Sequence, residues 1–120
     1  MKKIIAVIIL ILGVSFTASA QQTKTVALEQ TKGEFTQKQL TLSEGTYIFE
    51  IANNGVDHNV GFVLVPQGKK GEKHHIKSAY VTKLVAKNKK STTKKVLLKK
   101  GTYEYFCPLN PTPRYTLVVK

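Results

Sequence analysis

The same six-residue phrase, Leu-x-x-Gly-Thr-Tyr, stands twice in this chain, at Leu42–Tyr47 and at Leu98–Tyr103. Each copy opens a run of alternating apolar residues: Tyr47, Phe49 and Ile51 after the first, Tyr103, Tyr105 and Cys107 after the second. Alternation with period two puts one set of side chains on one face of an extended strand, and a glycine before it supplies a tight turn. The pattern therefore predicts strands entered through sharp corners. Further β-leaning runs lie at 25–29, 35–42, 59–65, 92–98 and 115–119, with Thr31-Lys32-Gly33-Glu34 and Asn53-Asn54-Gly55 reading as breaks. Residues 67–73 read as a polar surface loop and 74–87 as irregular, with one helical turn. About seven short strands separated by turn signals predict an all-β, Greek-key β-sandwich.

The first twenty residues are different in kind. Lys2 and Lys3 precede an unbroken apolar run from Ile4 to Leu12, and Ala18-Ser19-Ala20 closes it with small residues. That is the layout of a cleavable export signal, and the run falls short of the roughly 20 apolar residues needed to span a bilayer. The expected organisation is a signal peptide over 1–20 and a single domain over 21–120, delivered to the periplasm or the cell exterior.

Of the 19 Lys and Arg residues, Lys2 and Lys3 leave with the signal, so 17 remain against 7 acids, a net charge of +10. Twelve lysines fall between Lys69 and Lys100. This favours an acidic partner, with Lys87, Lys89 and Lys90 as the expected contact residues, or else a solvated face. Nucleic acid is not expected. Single-strand recognition interleaves aromatics with basic residues, whereas Tyr80 is the sole aromatic in the lysine-rich stretch. Catalysis is not expected either. Cys107 and His58 would make a nucleophile–base pair only with an orienting carboxylate and an oxyanion site, and no phosphate loop or zinc motif is present.

Two segments carry the chemistry. One is Asn53-Asn54-Gly55-Val56-Asp57-His58-Asn59-Val60; the other is Gly101-Thr102-Tyr103-Glu104-Tyr105-Phe106-Cys107-Pro108-Leu109-Asn110. Cys107 is the one cysteine, so it has no intramolecular disulfide partner. Together, His58-Asn59-Val60 and Gly-Thr-Tyr-x-Tyr-x-Cys-Pro resemble the cupredoxins, small exported blue-copper electron carriers. The resemblance implies a copper site with His58 as the first imidazole and Cys107 as the thiolate, serving electron transfer or copper handling, with an acidic redox or copper-handling protein as the partner of the lysine face. It also implies a second His and a Met after the cysteine. Here Asn110 stands at the usual spacing for that His, no His follows Cys107, and the only Met is Met1.

Several ways of completing an atypical site stay open: His74 or His75 from the long loop, Asn110 or a backbone carbonyl, Tyr115 as an axial group, or two-coordinate Cu(I) on His58 and Cys107 alone. The plainer alternatives are a turn-bonding His58, a Cys107 that packs as a small core residue, and a solvated His74-His75 pair. In that case the sandwich is a metal-free binding or assembly module working through its lysine-rich face.

Overall fold

A computed structural model describes residues 22–120. The expected signal peptide, 1–20, lies outside the described residues. Among the described residues nine strands form two sheets: β1 (Thr23–Thr31), β2 (Glu34–Phe35), β3 (Gln39–Leu42), β4 (Gly45–Asn53), β5 (Val63–Pro66), β6 (Lys90–Thr92), β7 (Val96–Leu98), β8 (Gly101–Phe106) and β9 (Tyr115–Val119). One sheet runs β2-β1-β4-β6 with β7 also on β4, and the other runs β3-β9-β8-β5. The sandwich is as the alternation predicts. The strand count is higher because two expected strands are each broken.

The break in 35–42 is a change of sheet. Phe35 ends against β1, whereas Gln39 begins pairing with β9. Between them Thr36 N–H donates to Glu29 C=O at 2.9 Å, and Gln37 Oε1 accepts from Glu29 N–H at 2.8 Å. The break in 92–98 is filled by a side chain: Thr93 Oγ1 accepts the Phe49 N–H at 3.0 Å, a bond the ladder would otherwise supply. A hydroxyl that mimics a backbone acceptor is a common reason for threonine to interrupt a regular ladder.

Both copies of the repeated phrase build the same corner. Tyr47 Oη donates to Ser43 C=O at 2.7 Å, and Tyr103 Oη donates to Lys99 C=O at 2.8 Å. Each tyrosine thus fastens the turn that precedes its own strand, as in a tyrosine corner. Within residues 74–87 the one helical turn is a 3-10 turn, Lys77–Ala79, and a second, Glu72–His74, closes the polar loop before it.

Between the sheets, Phe35, Phe49, Phe62 and Tyr105 pack with ring centroids 5.2 to 6.2 Å apart, alongside fully buried Leu28, Ile51, Leu64 and Leu117. The Phe35–Phe62 and Phe35–Tyr105 contacts are edge-to-face, a geometry that adds to the free energy of simple burial. Tyr105 Oη reaches out of this core to donate to Gln37 C=O at 2.6 Å, tying the β2–β3 crossing to β8.

Candidate functional site

The chain just after the first chemistry-bearing segment meets the second where β8 runs out into the loop 107–114. Cys107 is fully buried, continuing the alternation that also buries Tyr105. Its Sγ accepts two backbone N–H groups, from Gly61 and from Asn110, each at 3.3 Å. Gly61 C=O in turn accepts from Gln30 Nε2 at 2.7 Å, and Gln30 Oε1 accepts from Asn110 Nδ2 at 3.1 Å. The bonds close a circuit: Cys107, Gly61, Gln30, Asn110 and back to Cys107.

Asn110 does more than complete that ring. Its Nδ2 also donates to Thr31 C=O at 2.8 Å, and its Oδ1 accepts the Gly33 N–H at 2.7 Å. Gly33 sits at φ 74° in the tight turn between β1 and β2, a conformation that favours glycine. One buried side chain therefore straps the loop after β8 to the first turn of the domain. Cys107 N–H donates to Thr112 Oγ1 at 3.0 Å, and Pro111 and Pro113 flank that threonine, so the loop is held from within as well. Among the described residues, no buried side-chain nitrogen or oxygen lacks a partner.

His58 is elsewhere. It lies on the exposed stretch Asp57–Asn59, its Nδ1 is 3.0 Å from its neighbour's Asn59 carbonyl, and it lines a surface hollow with Lys32 and Asp57. The residue whose backbone reaches the thiol is Gly61, three positions further on. His75 Nδ1 meets Tyr80 Oη at 2.7 Å, and His74 ends the first 3-10 turn. The Tyr115 hydroxyl accepts the Phe35 N–H at 3.3 Å, with its ring edge-on to Phe35. Of the expected site residues, only Cys107 and Asn110 are brought together.

Copper held by a cysteine needs a thiolate with free lone pairs and at least one imidazole or comparable donor facing it. Two N–H bonds still leave the sulfur a lone pair, but His58 and His75 bond elsewhere, and the amide of Asn110 is spent on three bonds within the protein. Among the described residues, no group of three or more His, Cys, Asp or Glu side chains is placed to hold a metal ion. The residues as arranged do not fit a blue-copper centre.

The basic face is also modified by the structure. Lys87 Nζ pairs with Asp57 at 2.7 Å, and that ammonium, by hydrogen bond and charge, holds the Asp57 carboxyl below the ordinary range. Lys89 and Lys90 are exposed and, among the described residues, have no acid within ion-pair distance. Lys87 is thus a shared charge, and Lys89 and Lys90 are free ones. Arg114 is taken up internally: its guanidinium lies 4.5 Å from the Phe106 ring centroid and bonds Glu104 at 3.1 Å and Lys69 C=O at 2.9 Å.

Sequence reasoning passed over Gln30 and Gly61. Gln30 had a signal, since it shares the inward face of β1 with Leu28, and a polar residue at such a position demands a partner. Gly61 had none.

The model of the cupredoxin-like domain matches residues 4–119 of the chain. Similar solved structures include auracyanin A, a "blue" copper protein from the green thermophilic photosynthetic bacterium Chloroflexus aurantiacus. It is 20% identical, and the match covers 82% of this chain and 100% of that one with a TM-score of 0.66. Dithionite-reduced auracyanin from Roseiflexus castenholzii is 13% identical, with 83% and 98% covered and a TM-score of 0.62. An azurin from Methylomonas sp. strain J is 17% identical, with 80% and 97% covered and a TM-score of 0.53. No curated protein sequence matches. At these identities the likeness is one of fold.

Proposed function

Because the chain belongs to the cupredoxin-like domain family, we propose that it is an exported member whose sandwich works without copper, as a binding module for an acidic partner. The observation that carries this reading is the closed circuit through Cys107, Gly61, Gln30 and Asn110. It spends the Asn110 amide, the group at the spacing of a second ligand, on bonds within the protein, while His58 Nδ1 turns to the Asn59 carbonyl. Residues 1–20 supply the export signal in this reading, and the module acts in the periplasm or outside the cell, carrying out no catalysis of its own.

The partner is acidic because the surface around residues 69–100 is rich in lysine and only three ion pairs form among the described residues. Long-range attraction of this kind speeds encounter and selects partners of opposite sign. Lys89 and Lys90 contribute free charge, and Lys87 contributes by trading Asp57 for a partner carboxylate.

Copper titration of the purified protein, with visible absorption and native mass spectrometry, tests the metal-free reading, using Cys107→Ser as control. Retention of no copper in either oxidation state is the expected result. One equivalent bound and lost in the control would overturn it and restore a copper role for Cys107, with His58→Ala then deciding whether His58 joins it. Partner capture should weaken between about 0.05 and 0.5 M salt, where screening sets in. It should fall on neutralising Lys87, Lys89 and Lys90 and be unaffected by His58→Ala.

A further inference from the structure

The outer edge of β5 and of the extended chain leading into it is pinned at two points and bare between them. Val60 exchanges backbone bonds with Val85, at 3.0 and 2.9 Å, and Leu64 C=O accepts the Ile76 N–H at 2.9 Å. Along an extended chain, alternate residues present N–H and C=O to the same side. Phe62 therefore turns its backbone donor and acceptor to the side that Val60 and Leu64 use. Among the described residues these two groups have no hydrogen-bond partner. A backbone pair beside apolar side chains is costly to leave unmatched.

Beside this gap lies an apolar groove of about 290 Å³, bounded by Gly61, Phe62, Val81, Leu84, Pro108 and Leu109. Leu84 is 50% exposed and Leu109 47%, although both are large aliphatic side chains. Their tips approach the space over Gly61, where a Cβ would lie 3.5 Å from Leu84 and 3.9 Å from Leu109. Tyr80 and Val81 also line a second hollow, edged by Lys77, Ser78, Thr82 and Lys94, with no acidic residue on its walls. Neither Lys77 nor Lys94 has an acid within ion-pair distance among the described residues.

We propose that this groove binds an extended peptide segment of a partner protein, which pairs with the Phe62 backbone, seats apolar side chains between Leu84 and Leu109, and carries acidic residues beyond them to meet Lys77 and Lys94. The proposal rests on the binding-module reading and locates its working surface. An unmatched donor next to an unmatched acceptor calls for a chain that carries both, which a peptide backbone does and an acyl chain does not. Strand addition to a sheet edge draws its affinity from such main-chain bonds and its specificity from pockets for alternate side chains. The two lysines set the sign of the flanking charge.

The test uses the purified protein and a fluorescein-labelled peptide of alternating Leu and Thr followed by two Asp, with a control peptide ending in two Lys. Anisotropy should show the acidic peptide binding and the basic one failing. In amide-resolved NMR spectra the Phe62 N–H should shift and become protected from exchange. Leu84→Ser with Leu109→Ser, both about half exposed, should weaken binding about tenfold or more, as should Lys77→Glu with Lys94→Glu. Lys120→Glu should change it less than about twofold. Acidic-peptide binding with Phe62, Leu84 and Leu109 unmoved would overturn the groove. So would no peptide binding, or binding of phosphatidylglycerol vesicles in its place. Copper retention by Cys107 would overturn the underlying reading instead, so the two failures are told apart.

Discussion

Replacing Asn110 with alanine removes one side chain and strands three groups. Gln30 Oε1 loses its donor while remaining fully buried, at 0% exposure. Thr31 C=O and Gly33 N–H lose theirs in half-buried positions that water can partly reach. A buried acceptor without a partner costs about 1–3 kcal/mol, and rehydratable groups cost less, so the total is about 3 kcal/mol. Domains of this size have only about 5–15 kcal/mol of stability to lose.

The chain has no tryptophan and five tyrosines, so urea unfolding is best followed by tyrosine fluorescence and far-UV circular dichroism together. With a urea slope of about 1–1.5 kcal/mol/M, the midpoint should fall by about 2–3 M at unchanged slope. Gln30→Leu, alone and combined with Asn110→Ala, completes a cycle in which the two changes should fail to add by about 0.5 kcal/mol or more. A midpoint shift below about 0.7 M, or strict additivity, would mean that the circuit is not what holds the loop to the β1–β2 turn.

Three further outcomes are expected. Burial, with a smaller contribution from Tyr115, pushes the Tyr105 hydroxyl up to about 12, so the folded state favours the neutral phenol. Stability from this group is complete below the ordinary tyrosine range and is lost as pH climbs through about 12, by about 2–3 kcal/mol, and Tyr105→Phe should remove that loss in pH-dependent urea melts. Arg114→Lys keeps a charge but loses the planar contact with Phe106, and should cost about 1 kcal/mol by the same melts. Cys107, being buried, should react with iodoacetamide only as fast as the protein opens, and Cys107→Ala should cost about 1–2 kcal/mol by leaving two amides without an acceptor.

The sandwich was readable because its signals are local. Tyr47, Phe49 and Ile51 announce β4 by alternation, and the repeated glycine phrase marks the corners on which both sheets turn. The two broken strands were not readable. Whether Thr36–Lys38 crosses between sheets, or Thr93 replaces a ladder acceptor, depends on partners far away in sequence. The same holds for the site. Cys107 and Asn110 stood out by type and spacing, but what they bond to comes from residues 77 and more positions away in the cases of Gly33, Gln30 and Thr31. His58 has the spacing of a ligand, yet the strand it precedes begins at Val63, and the chain between them delivers Gly61 to the thiol.

The strand pairing also fixes where β1 starts and β9 stops. Thr23 enters β1 opposite Thr46, while Lys120 N–H donates to Leu42 C=O at 2.9 Å, so both points lie beside the Leu42–Thr46 corner. Val119 pairs with Gly101, at the start of β8, and Cys107 follows the strand's far end. A tether joined at the start of β1 or after β9 would hold the domain by that corner and point the Cys107 end outward. Immobilisation through such a tether should leave the groove as open as in free solution.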